Sequence, residues 1–481
     1  MARTITVFSL FFILFSAPCH AFAAPEELVS TLADQEMVAV TIYNNNLALI
    51  KDSRRITLPA GVNRLAFKEV SALMQPETAI MRSVSHGKAL TVLEQNFDFD
   101  LLTPQKLLEK YVGRQVGVVK THPTTGEETV EEALVLSTNN GVVLRIGDRI
   151  ETGEAGRLIF HDVPANLRDR PTLTMTLQSD IAEPQTVELS YLTGGLSWQA
   201  DYVAELTADE DRFDINGWVT LTNTSGTGYR QALLQLVAGE VHQPPSLKTM
   251  PRPLQATDRA MMAAAPEMAE EGLFEYHLYT LGRPTDILDN QAKQVALLQA
   301  VAVPAAKEYV LQGQTYYYQS RYNEATPKQK VGVFLTFVNT RDNHLGIALP
   351  KGVVRVYKKD SQNRVQFIGA DRIDHTPENE TVRLQLGNAF DVTAERKQTD
   401  FKKLAGFARY NYVYESSFEI RLKNAKEQAV KVKVVEPLPG DWEILTENLP
   451  HTKETATTAA WFVEVPAKGE ATLTYSARVR L

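Results

Sequence analysis

The chain has 481 residues, 44% of them hydrophobic and 22% charged, with 23 prolines and 26 glycines. That composition is ordinary for globular proteins; it excludes wholesale disorder and collagen-like order and leaves room for several domains of ~100–200 residues each. A formal net charge of −8 argues against a nucleic-acid partner held by a basic surface.

The N-terminus reads MARTITVFSLFFILFSAPCHAFAAPEE. Arg3 supplies a positive start, an apolar run extends from Ile5 to Phe15, Pro18 breaks it, and Ala21-Phe22-Ala23 fits the small-x-small rule for cleavage. Residues 1–23 are therefore expected to be a signal peptide, and the protein to be exported to the periplasm or the cell surface. The apolar run falls short of the ~20 residues that cross a bilayer comfortably, so no transmembrane span is expected in the mature chain. Cys19 is the single cysteine and lies in this leader, so no disulfide or thiolate chemistry is expected after cleavage.

Period-two alternation, the pattern of half-buried strands, dominates the rest of the chain. Residues 24–112 read as an N-terminal β region that opens with Val38–Tyr43, turns at Asn44-Asn45-Asn46 and continues through Leu47–Ile56 and Val62–Phe67. It closes on one short helix, for which Thr103 is the N-cap, Pro104 the first helical residue and Gly113 the stop. Residues 113–165 read as a small barrel or meander with strands Gln115–Thr121, Val130–Leu136 and Val142–Ile146, and Asn140-Gly141 favours a tight hairpin. Residues 166–330 carry longer strands, interrupted at 243–271 by a Pro-, Met- and Ala-rich stretch that is expected to be a flexible loop. Met261, Met262 and Met268 make that stretch a possible binding surface. Tyr309–Tyr322 reads as a strand, and 331–481 as a C-terminal sandwich of immunoglobulin-like proportions. The fold class expected is mainly β, with antiparallel sheets, small N-terminal modules and a C-terminal sandwich.

Chemistry is sparse. No serine-hydrolase elbow, HExxH zinc motif, P-loop, dinucleotide fingerprint or EF-hand occurs, and no cofactor is expected. Asp371, Asp374 and His375 form the best polar cluster, able in principle to bind a divalent ion or share a proton; a turn-capping role is the alternative. The acidic turn Asp209-Glu210-Asp211 with Asp214 reads as a solvent loop or a calcium loop. Trp198, Tyr202 and Trp218 are aromatic positions on expected strands, and flat rings stack on the C–H faces of sugars. Such residues also fill sandwich cores. Tyr316 and Tyr318 would share one face of a strand and form a second aromatic surface. The last strand alternates through Tyr475, Ala477, Val479 and Leu481, as the closing strand of a membrane barrel would, although aromatic girdles are missing.

Several stretches carry a resemblance. They are Glu188-Leu189-Ser190-Tyr191-Leu192-Thr193-Gly194-Gly195-Leu196-Ser197-Trp198, then Gly217-Trp218-Val219-Thr220-Leu221-Thr222-Asn223, Pro350-Lys351-Gly352-Val353, Asp371-Arg372-Ile373-Asp374-His375-Thr376-Pro377 and Val435-Glu436-Pro437-Leu438-Pro439-Gly440-Asp441-Trp442. Together, over roughly Thr172 to the C-terminus, they resemble the uncharacterised bacterial envelope family that includes the mucoidy inhibitor A proteins. Better-known relatives place a long coiled coil before the sandwich, and this chain has no such heptad run. The resemblance implies an effect on capsule or exopolysaccharide and supplies no catalytic residues. The function expected is a non-enzymatic envelope protein that binds or scaffolds a protein or polysaccharide partner. The alternative is a metal-assisted or acid–base hydrolase using Asp371, Asp374 and His375.

Overall fold

The computed structural model describes residues 27–44, 46–153, 156–164, 167–239, 241–242, 268–321, 328–405 and 410–481. The expected signal peptide lies outside these residues, as does the stretch 243–267; residues 268–271 of the expected loop instead open a strand, Met268–Leu273. The protein is mainly β. Among the described residues there is one α-helix, Pro104–Lys110, and none long and apolar enough to cross a membrane.

The chain divides into two compact units. The first takes in residues 1–36, 52–70 and 79–189, the second 37–51, 71–78 and 190–481. In the first unit, Glu27–Ser30, Gly61–Lys68, Thr172–Ser179 and Leu90–Asp98 form a four-stranded sheet. Arg54 is buried in this unit; its Nη2 donates to Asp52 Oδ2 at 2.8 Å and to the Lys68 carbonyl at 2.9 Å, and its guanidinium lies 3.7 Å from the Phe67 ring centroid. A separate five-stranded antiparallel meander spans Gln115 to Ile159. The helix belongs to the meander's core: Thr103 caps it by accepting from Lys106 N at 3.1 Å, and Leu108 and Tyr111 pack with Val116, Val118, Val135 and Leu144.

The second unit holds a five-stranded and a nine-stranded sheet. Gln291–Pro304, Arg212–Asn223, Leu196–Leu206, Gly352–Lys359 and Val365–Ile373 make a five-stranded sheet. Trp198 on this sheet meets Tyr279, on the neighbouring sheet strand Tyr276–Leu281, edge to face at 6.4 Å, so the two sheets share a core. A nine-stranded sheet runs in the order Asp441–Glu447, Glu470–Arg480, Tyr412–Asn424, Thr381–Ala405, Gln329–Val338, Ala306–Gln312, Val430–Pro437, Thr458–Val465, His451–Thr455. Its pairs are antiparallel except one, where Tyr309–Gln312 runs parallel to Val432–Val435. The sheet folds over on itself: Trp461, from one half, stacks on Tyr475, from the other, at 4.6 Å and 25°. The alternation at Tyr475, Ala477 and Val479 thus faces a protein core, where all three are buried.

Strand ends are clamped by buried asparagines. Asn223 Nδ2 donates to Thr227 O at 2.8 Å while its Oδ1 accepts from Ser225 N at 3.0 Å. Asn424 repeats the device on Gln428 O at 2.8 Å and Lys426 N at 3.0 Å. Each satisfies a loop's backbone groups that burial would otherwise leave unpaired.

Candidate functional site

The fold separates the aromatic residues singled out in the sequence. Trp198 and Tyr202 are buried on the core face of Leu196–Leu206, and the Tyr202 hydroxyl donates to Pro350 O at 2.7 Å. Burial pushes that hydroxyl well above its ordinary pKa. Trp218 pairs with Asp201 and so faces away from both; the three do not form one platform. Trp198 and Tyr202 therefore fill the core rather than line a ligand surface. The tyrosine run is not a strand either. Thr315–Tyr318 is a 3₁₀ turn, whose tighter period buries Tyr317 and Tyr318 and leaves Tyr316 49% exposed.

Asp371, Asp374 and His375 do not converge. Asp371 Oδ2 accepts from Gln385 N at 2.7 Å, and its Oδ1 accepts from Arg372 N at 2.8 Å. His375 Nδ1 accepts from Lys351 N at 3.3 Å, and its Nε2 lies 3.4 Å from Asn44 Nδ2. Asp374 is exposed. Among the described residues no three His, Asp or Glu side chains are grouped to hold a metal ion. In the acidic turn, Glu210 is bound by Lys307 and Lys358, so its charge is answered by ammonium groups.

Two features of the nine-stranded sheet carry no sequence motif of their own. The first is a buried polar chain. Arg396, on Thr381–Ala405, donates from Nη2 to Glu436 Oε1 at 2.5 Å, and both side chains are almost wholly inaccessible. Tyr318 O–H donates to Glu436 Oε2 at 2.8 Å and lies 2.8 Å from the Tyr475 hydroxyl, which accepts from Arg396 Nη1 at 3.4 Å. The Arg396 guanidinium also lies 4.6 Å from the Tyr317 ring centroid. Burial opposes the charge on Arg396, but the Glu436 carboxylate outweighs it and holds the guanidinium above its usual pKa. Burial, then the Glu436 charge, pushes both Tyr318 and Tyr475 up. With every member buried, this chain is a core element and not a reaction centre.

The second feature lies on the same face of the same sheet, farther along. Side chains alternate across a sheet, so Tyr412, Tyr414 and Ser416 share the face of the core residue Phe418. Register places Trp442, Val479, Tyr414 and Lys403 in one row across four strands, and Ile444, Ala477, Ser416 and Phe401 in the next. Beyond them Tyr412 exchanges backbone bonds with Leu481 and is 48% exposed. Val479, Ala477 and Ser416 in these rows are still buried, and the face reaches solvent at Tyr412. Phe401 stacks on Tyr414 at 5.8 Å and 25°, and Tyr414 lies parallel to Tyr412 at 6.2 Å and 13°. Trp442 is about 10 Å from Tyr414, two strands away, and is oriented by its Nε1 donating to Ala456 O at 2.7 Å.

Two cations bracket this aromatic strip. Lys403 Nζ lies 4.9 Å from the Tyr412 ring centroid and Lys453 Nζ 4.8 Å from that of Trp442. Neither has a carboxylate partner among the described residues, whereas neighbouring Lys402 and Lys433 pair with Asp400 at 3.0 Å and Glu454 at 2.5 Å. Near-parallel rings with unpaired ammonium groups at their margins can hold a flat-faced molecule that carries negative charge.

No curated protein matches the chain. Residues 187–481 match the family described as "Domain of unknown function (DUF4139)". That match takes in the whole nine-stranded sheet, the aromatic strip and more than half of the 481 residues, so the chain belongs to this family of unknown function.

Proposed function

We propose that this chain is an exported, non-enzymatic envelope protein that binds a polysaccharide along the Phe401–Tyr414–Tyr412 strip. The single observation that carries the reading is the strip itself: stacked rings, open to solvent at Tyr412, with Lys403 and Lys453 beside it and without carboxylate partners among the described residues. A pyranose lays its C–H face on an aromatic ring, and a lysine takes the carboxylate of an acidic sugar. The net charge of −8 gives no long-range attraction to a polyanion, so ring stacking has to supply most of the affinity and the lysines the choice of sugar. Each stack contributes about 0.5–1.5 kcal/mol. Binding per site is then on the order of millimolar, strengthened along a polymer by multivalency.

Export is supported by the leader-like residues 1–23, and a polysaccharide partner by the resemblance to the mucoidy inhibitor A proteins. A protein partner on the same strip is the competing occupant. The placement of Asp371, Asp374 and His375 lends no support to a hydrolase.

The test is titration of the chain lacking residues 1–23 with a uronic-acid hexasaccharide and a neutral glucan hexasaccharide, monitored by tryptophan fluorescence and calorimetry. The expected result is a response from Trp442, preference for the uronate, and binding weakened roughly two- to tenfold in Tyr412→Ala. Equal, undiminished binding by Tyr412→Ala, or no binding of either sugar beside specific capture of one envelope protein, would replace this reading with a different surface or partner.

A further inference from the structure

A second concavity lies in the same unit, between the five-stranded and nine-stranded sheets. It has a volume of about 260 Å³ and an apolar floor of Leu206, Val333, Leu335, Ile368 and Leu386. The floor is built by an irregularity. Val333 pairs with Gly387 but Phe334 pairs with Gln385, so Leu386 is an extra residue in its strand. Such bulges re-aim a side chain and collect beside functional sites. This one is held in place: the Asp371 carboxylate accepts from Gln385 N at 2.7 Å, and a Cβ on Gly369 would collide with Leu386 O. Asp371 thus pins the wall of a cavity.

The mouth is cationic. Lys358 Nζ bonds Glu210 Oε1 at 2.6 Å and Lys307 bonds Oε2 of the same carboxylate. Burial pushes Glu210 up, but the two lysines outweigh it and hold its carboxyl below the usual range. A third ammonium, Lys426, stands 5.8 Å from the Tyr309 ring centroid, with Lys307 5.5 Å from the same ring. Lys426 has no carboxylate partner among the described residues, and the Asn424 clamp fixes its backbone. Lys307, Tyr309 and Lys426 also line a shallower groove of about 610 Å³ that continues past Asp391 to Lys431. Glu427, on that groove, is paired with Lys468 at 2.8 Å. Three ammonium groups against one carboxylate leave the cavity mouth with a surplus of positive charge above an apolar floor.

We propose that this cavity binds a single-chain carboxylate amphiphile, its alkyl chain on Leu206, Leu335, Ile368 and Leu386 and its head group between Lys426 and the Lys307–Lys358 pair. The pocket lies just below the usual range for ligand sites, roughly 300–1,000 Å³, which selects a medium chain. The apolar floor rejects a free small anion, and the surplus charge rejects a cationic head.

Calorimetric titration with decanoate, acetate and decyltrimethylammonium tests it on the chain lacking residues 1–23. Saturable one-to-one binding of decanoate below its micelle concentration is expected, with none of acetate and at least tenfold weaker binding of the cation. Lys426→Gln should weaken decanoate severalfold, and Ile368→Trp, at a partly exposed floor position, should abolish binding with an unchanged thermal melt. Tyr412→Ala, at the sugar strip, should leave decanoate binding intact. Equal binding of the cationic amphiphile, undiminished binding by both cavity variants, or no saturable decanoate binding overturns the proposal. Lys426→Gln keeps the test decisive should the tryptophan variant fail to fold.

Discussion

One face of the nine-stranded sheet carries aromatic rings and cations at both of its ends, with opposite consequences. At the covered end Arg396 sits among Tyr317, Phe418 and Tyr475 and is matched by Glu436. At the open end Lys403 and Lys453 sit over Tyr412 and Trp442 with no carboxylate beside them among the described residues. The difference comes from desolvation. A charge taken out of water must be paired and hydrogen-bonded or the core fails. A charge left in water has no such requirement, and its freedom is available to a ligand. Chemistry of the same kind thus holds the fold in one place and supplies a surface in the other.

The largest expected effect comes from breaking the covered end. Arg396→Met leaves the buried Glu436 carboxyl without its cationic partner, which costs about 3–5 kcal/mol. Urea unfolding monitored by fluorescence measures this through the lost midpoint. Arg396→Met with Glu436→Leu should recover most of the loss, since a well-packed apolar pair replaces a buried ion pair at little cost. A single-variant loss below ~1 kcal/mol, as for an exposed pair, would mean that the two ends do not differ as described. Gly313→Ala comes next. A Cβ there would collide with Glu436 Oε2, so either the carboxylate or the chain must move. Overpacking of this kind costs roughly 1–3 kcal/mol, and the Arg396–Glu436 double variant should relieve part of it.

The tyrosines sharpen the comparison through pH. Tyr318 and Tyr475 have folded pKa values raised by burial and by Glu436. Their neutral forms are favoured by the native state, so this contribution is complete below the ordinary tyrosine pKa of about 10. Above it the unfolded chain releases protons that the native chain retains. Stability then falls by up to about 1.4 kcal/mol per pH unit for each such tyrosine until the folded pKa is reached. Urea midpoints between pH 9 and 11 should decline less steeply in Tyr475→Phe than in the parent.

The covered end was the harder to read from sequence, for a physical reason. Arg396 lies in the run Ala394-Glu395-Arg396-Lys397-Gln398-Thr399-Asp400, whose charges look like a solvated loop. The structure continues a 25-residue strand through it. Only the pairing with Glu436 makes Arg396 an inside residue, and that partner is 40 positions away. Local patterns were legible where the physics is local: Gln115–Thr121 was placed to the residue, and the Thr103-Pro104 start gave the helix its N-terminus. Trp198 and Tyr202 show the limit of alternation, which places side chains on a common face without saying whether another sheet covers it. For the same reason the alternation of Tyr412, Tyr414 and Ser416 did not mark the strip. Its exposure depends on where the opposing half of the sheet stops.

The smallest effects belong to the open end, where their smallness is the point. Tyr412→Ala and Lys403→Gln remove groups that the fold does not require, and surface changes of this kind stay within about 0.5 kcal/mol of parent stability. Any change in uronate binding then reads the ligand contact and not the fold. Loss of the Tyr412 ring removes a stack of about 0.5–1.5 kcal/mol, a drop of roughly two- to tenfold. Loss of the Lys403 charge should weaken the uronate by a smaller factor, leave the neutral glucan unchanged, and vanish at high salt as the ammonium–carboxylate attraction is screened. If Lys403→Gln lowers the unfolding midpoint as Arg396→Met does, the lysine is bound into the structure after all. The two ends of the face would then be one core, and the strip would have no free charge to offer a sugar.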